Sequence, residues 1–115
     1  MRFFVRAAIP TVPGNLAIMD GKISAIIGEI TKELKPEVTF YRANEAGPTA
    51  GLRSMSMIVN ADSAAQLGKA VEPLFQSLEA KLEYEPIMFP DDLMKALPNI
   101  ERDVKKYGDD GRARG

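Results

Sequence analysis

Residues 3 to 9 read FFVRAAI, an aromatic and aliphatic run that stops at Pro10, which predicts a first strand from Phe3 to Ile9. TVPG then reads as a turn, with Asn15 placed to cap a helix by accepting a backbone N–H. Leu16, Met19, Ile23, Ile26, Ile27, Ile30 and Leu34 recur at spacings of three and four. They predict one apolar face of a helix of about 20 residues, ended by Pro36, with Lys32 and Lys35 suited to its C-terminal end. Gly21 and Gly28 weaken that helix or allow close packing within it.

Val38 to Asn44 and Leu52 to Asn60 read as two strands joined by the turn residues EAGPTAG, a hairpin with a loop of several residues. Asn60 or Asp62 is placed to cap a second long helix with the face Ala65, Leu67, Ala70, Val71, Leu74, Phe75 and Leu78. Pro73 lies in its middle and predicts a kink or a break. Lys81 to Met88 reads as a fourth strand, where Pro86 fits only at an edge or near a strand end. PDD opens a terminal helical segment with the apolar face Leu93, Met94, Leu97, Ile100, Val104 and Tyr107, divided at Pro98 and ended by Gly108.

This β-α-β-β-α-β order with a terminal helix predicts an α+β, ferredoxin-like chain. Helices cover one face of a four-stranded antiparallel sheet. Residues 1–108 are expected to form a single domain, and 109–115, DDGRARG without its neighbours, a flexible tail.

The second face of that sheet is not cleanly polar, as a solvated face should be. With the apolar rows assigned to the helices, Phe4, Leu52, Ile58 and Ile87 are left among Arg2, Arg6, Ser54, Ser56, Glu83 and Glu85. A mixed row of this kind suits a surface that meets another sheet. MRFFVRAAI, the helix reaching Leu34, the hairpin and YEPIMFPDDL together resemble the dimeric α/β-barrel superfamily, and the likeness runs to about Gly108. Within it the chain is similar to the small bacterial members of unknown function. The resemblance implies a homodimer formed through the open sheet faces, with a possible higher oligomer. It implies either non-catalytic small-molecule binding or a structural role. The alternative is a cofactor-independent monooxygenase- or isomerase-like enzyme acting on a small organic substrate. No branch's catalytic residues match residue by residue.

Composition narrows the chemistry. The 115 residues contain no Cys and no His. Disulfides, thiolate catalysis, a Ser-His-Asp triad, zinc-thiolate sites and His-ligated haem are thereby excluded. No cofactor is expected, and the formal charge of −1, with both signs scattered, gives no basic block for nucleic acid. No run is long enough for a membrane span, and MRFFVRAAIP does not read as a signal peptide, so a cytoplasmic location is expected.

The candidate ligand-binding residues are Arg6, Arg42, Ser54, Ser56, Glu83 and Glu85. Arg2 and Arg6 are placed to face Glu83 and Glu85 across neighbouring strands, either as pairs that neutralise charge at an interface or as a site for a small anionic or aromatic ligand. If paired residue numbers across the hairpin sum to an even value, Arg42 joins Ser54, Ser56 and Arg6 on the open face. Ser54 and Ser56 also read simply as small residues where two sheets approach. GPTAG lacks the Lys-Ser or Lys-Thr of a phosphate loop and reads as a turn. Asp91 and Asp92 read as helix-capping acids rather than metal ligands, and the methionines as core.

Overall fold

The computed structural model describes residues 1–44 and 51–108. The expected turn at EAGPTAG falls mostly outside the described residues, as does the expected tail at 109–115. In chain order the elements are β1 (Arg2–Ile9), α1 (Thr11–Met19), α2 (Lys22–Leu34), β2 (Val38–Arg42), β3 (Arg53–Asn60), α3 (Ala64–Leu78), β4 (Lys81–Ile87) and α4 (Pro90–Asp103), which runs on into a π-helical turn, Val104–Gly108. The strands form one antiparallel sheet in the order β2-β3-β1-β4. This is the predicted ferredoxin-like arrangement, with β1 at the centre and β2 and β4 at the edges.

The core lies between one face of the sheet and the helices. Phe3, Val5, Ala7 and Ile9 of β1 and Met55, Met57 and Val59 of β3 form its floor. Ile26, Ile30 and Leu34 of α2 and Leu67, Val71, Leu74 and Leu78 of α3 form its roof. Each helix buries positions three and four apart, the spacing that lines one face.

The helix expected from Asn15 to Leu34 is two helices. Gly21, with φ of 78°, occupies a left-handed conformation between them, and this region favours glycine. The break rotates α1 away from the stripe, so Leu16 and Met19 are exposed while Gly14 and Ala17 are buried. Gly14 sits so close to β1 that a Cβ there would lie 3.0 Å from Ile9 Cγ2. Asn15 lies inside α1 and is not its cap.

Ser63, rather than Asn60 or Asp62, caps α3, its hydroxyl accepting from the Gln66 N–H while Gln66 Oε1 accepts from the Asp62 N–H. Neither Pro73 nor Pro98 divides its helix. The carbonyls four residues earlier belong to exposed Lys69 and Met94, where water can supply the donor that proline lacks. Pro86 lies near the end of the edge strand β4, as expected.

α4 departs from the rest of the chain. None of its residues is buried, and the molecule measures 60 × 29 × 20 Å. Its radius of gyration is 18.3 Å, against about 13 Å for a compact chain of this length. Among the described residues, no helix is long and apolar enough to cross a membrane.

Candidate functional site

The strand register settles which polar residues share the open face. Tyr41 pairs with Met55 and Arg42 with Ser54, an even sum in both cases. On the other side of β3, Ser54 pairs with Ala8 and Ser56 with Arg6, and Arg6 in turn pairs with Glu83 of β4. Directly opposite residues of an antiparallel sheet point to the same side. Arg6, Arg42, Ser54, Ser56, Glu83 and Glu85 therefore share the face away from the helices. Glu85 stands opposite Phe4, and Ser56 lies between Arg6 and Phe40.

Across this row Arg6 Nη2 donates to Glu83 Oε1 at 2.8 Å. The Arg6 side chain is 18% exposed and that of Glu83 67% exposed. Ser54 and Ser56 are 2% and 0% exposed, and neither hydroxyl has a hydrogen-bond partner among the described residues. Flanked by longer side chains, both serines sit at the bottom of the row. Phe4, Glu83 and Glu85 also line a shallow depression of 420 Å³ along β4.

Arg2, expected opposite Glu83 and Glu85, does other work. Register places it opposite Ile87. Its guanidinium donates to Glu37 Oε1 at 3.0 Å and to Asp92 Oδ2 at 2.9 Å, and stacks on Phe89 at 4.2 Å from the ring centre. Asp92 Oδ2 also accepts from the Phe89 N–H at 2.9 Å, so the capping role expected of this acid is present. That backbone donor, and after it Arg2, hold the Asp92 carboxyl below its ordinary value, while the bond to Glu37 is the first cause raising that of Arg2.

A second concavity was not anticipated. On the helix side of the sheet, a cavity of 330 Å³ opens between Ile23 and Ile27 of α2, Leu74 and Leu78 of α3, and Tyr41 and Met55 of the sheet. It exists because the two long helices cover β1 and β3 and leave the edge strand β2 bare, every residue of which is exposed. Arg53 is part of its wall, tied through Nη1 to Asn15 Oδ1 at 2.9 Å. A signal for it lay in β2. Phe40 and Tyr41 put aromatic rings on opposite faces of one edge strand, more apolar surface than a strand facing water on either side needs.

Among solved structures, the chain is similar to 5-chloro-2-hydroxyhydroquinone dehydrochlorinase from Burkholderia phenoliruptrix in complex with 2,5-dihydroxybenzoquinone. The TM-score is 0.58 at 17% identity, covering 79% of this chain and 97% of that one. The chain has the ferredoxin-like fold. Weaker likenesses are to an EthD-like protein from Ralstonia eutropha (TM-score 0.45, 13% identity, 77% of this chain and 94% of that one) and to a dimeric ferredoxin-like protein from an uncultured marine organism (0.42, 13%, 76% and 95%). No family model and no curated protein sequence matches the chain. At these identities the likeness is one of fold.

Proposed function

We propose that the protein is a homodimer that binds a small, flat, largely apolar molecule without transforming it. The observation that carries this reading is the helix-side cavity. Its wall is mostly aliphatic, with Tyr41, Arg42, Arg53 and Ser54 as its polar residues. A hydrophobic concavity with few polar groups is the usual build of a small-molecule site. An aromatic ring bearing one anionic or hydroxyl substituent matches it, since a guanidinium favours an oxyanion.

The lining supports binding without catalysis. Among the described residues that form the cavity there is no carboxylate to act as a general base. The dehydrochlorination in the name of the Burkholderia neighbour belongs to that protein.

In this reading Arg6, Ser56, Glu83 and Glu85 serve the dimer interface, while Arg42 and Ser54 also line the cavity. Two sheets packing face to face approach to about 10 Å, and small residues at the centre of the row permit that approach. The serine hydroxyls, buried and unpartnered among the described residues, then meet donors and acceptors of the second copy.

The test uses thermal unfolding with salicylate and 2,5-dihydroxybenzoquinone as probes. A ligand that binds only the folded state raises Tm. Ile27→Trp fills the cavity and abolishes the rise. No rise with either probe, or an unchanged rise in the Ile27→Trp protein, refutes the cavity as the site. Sedimentation equilibrium tests the dimer, which has twice the chain mass of 12.6 kDa.

A further inference from the structure

Two features of α4 have no use within a single chain. The first is its apolar stripe. Leu93, Leu97 and Ile100 follow one another at spacings of four and three, the alternation that keeps a seam on one side of an α-helix, and Val104 and Tyr107 extend the apolar sequence into the π-helical turn. Among the described residues none buries this seam, and Leu97 alone of its members is partly covered. Leu93, Ile100, Val104 and Tyr107 are all exposed, Tyr107 to 66%, and neighbouring Met94 is exposed to the same degree. The second is its persistence as a helix. It has only 14 residues, with Pro98 in the interior. Isolated helices of about 12–15 residues are marginal in water even without a proline, and an amphipathic helix takes most of its stability from whatever its apolar face packs on.

The direction of α4 is fixed at its root. Asp92 is bound to Arg2 and to the Phe89 N–H, and the Phe89 ring lies on the Arg2 guanidinium. Arg2 alternates along β1 with Phe3 and Val5 of the core, so it belongs to the open face with Phe4 and Arg6. The helix therefore leaves the body from the open-face side, and none of its residues is buried.

Area points the same way. Four strands of five to eight residues spaced about 4.8 Å apart and rising about 3.3 Å per residue present a face of roughly 440 Å². A stable protein interface buries about 800 Å² per partner. The open face alone falls short, and an apolar arm attached at its rim supplies the difference.

From these observations we infer that α4 is an exchanged arm. In the homodimer, its Leu93–Leu97–Ile100–Val104–Tyr107 seam packs on the second copy of the chain and not on its own body. This rests on the homodimer proposed above and adds which element secures it. The second copy is the occupant because the arm springs from the face assigned to that copy, and because that face needs the added area.

The absence of Cys allows a direct test. In full-length protein carrying Ile100→Cys, the introduced thiol is the sole maleimide target. Its labelling is expected to be about tenfold slower or more at concentrations where the protein is dimeric than at dilution, since only an intermolecular contact responds to concentration. Independently, Leu97→Asp with Ile100→Asp is expected to raise the dimer Kd at least about 30-fold, as loss of a buried apolar anchor does. The thermal unfolding of the dilute monomer should stay unchanged, because the seam is not part of the core. If the natural sequence is monomeric at every concentration, this inference and the homodimer fall together. If it is dimeric but labelling is independent of concentration, or the double substitution leaves Kd unchanged, the arm alone is refuted.

Discussion

Arg6 and Glu83 face each other across the β1–β4 ladder and meet at 2.8 Å, yet one is largely covered and the other largely in water. An exposed ion pair of this kind is worth about 0–1 kcal/mol, because water screens it and the long side chains lose freedom in forming it. Glu83→Gln is therefore expected to change the unfolding free energy of the dilute chain by less than about 1 kcal/mol in urea melts. Its effect on self-association is expected to be larger, because closing two sheets over the Arg6 guanidinium then lacks the Glu83 carboxylate beside it. A dimer Kd unaffected by Glu83→Gln would remove Arg6 and Glu83 from the interface.

Ser56 gives the complementary case. Its hydroxyl is buried with no partner among the described residues, so it bears the desolvation cost of a polar group without the return of a hydrogen bond. Ser56→Ala is expected to stabilise the dilute monomer by about 1 kcal/mol, seen as a higher urea midpoint at unchanged slope. A fall of similar size would mean that the hydroxyl is satisfied in the monomer.

Two glycines in one stretch should respond in opposite directions. Gly21 is held at φ 78°, so Gly21→Ala is strained and should cost about 1–2 kcal/mol. Gly28 lies within α2 with nothing within 4 Å of where a Cβ would be placed. Gly28→Ala should stabilise by about 0.5–1 kcal/mol. Thermal melts of the two variants, made in parallel, check the pair.

The root of α4 should be sensitive to acid in a defined window. The Asp92 carboxyl is held below its ordinary value of 3.8 by the Phe89 N–H and then by Arg2. A depressed carboxylate contributes stability above its unfolded value and loses it as pH falls through the folded one. The root is thus intact at neutral pH and releases only below pH 3.8. A side-chain carboxyl NMR titration should place the Asp92 midpoint below that value, with the amide signals of the first turn of α4 shifting in step. A midpoint at or above it would contradict the contact with Arg2.

Much of this was legible in the sequence, and the rest was hidden for physical reasons. Strand order and core rows followed from alternation, as at Phe3, Val5, Ala7 and Ile9, because a strand buried on one face must alternate. Hairpin register was open, since a slip of one residue moves Arg42 between faces and only pairing with Ser54 decides it. Gly21 was visible as a weak point, but periodicity runs through it and gave one helix where there are two. Pro73 and Pro98 were over-weighted, because exposed carbonyls make the missing hydrogen bond cheaper than in a buried helix. The cavity was least accessible to sequence reading. It is an absence of cover over β2, and what does not pack leaves little trace in the residues that do.

The anchoring of α4 by Arg2, Phe89 and Asp92 has an evolutionary consequence. Because the seam beyond that anchor contributes nothing to the core, its residues can change without unfolding the body. Mutations that alter who pairs with whom are thus separated from mutations that alter whether the chain folds. Duplicated copies of such a gene could drift apart in partner choice, by a few substitutions along one helix, while keeping the same sheet and the same cavity.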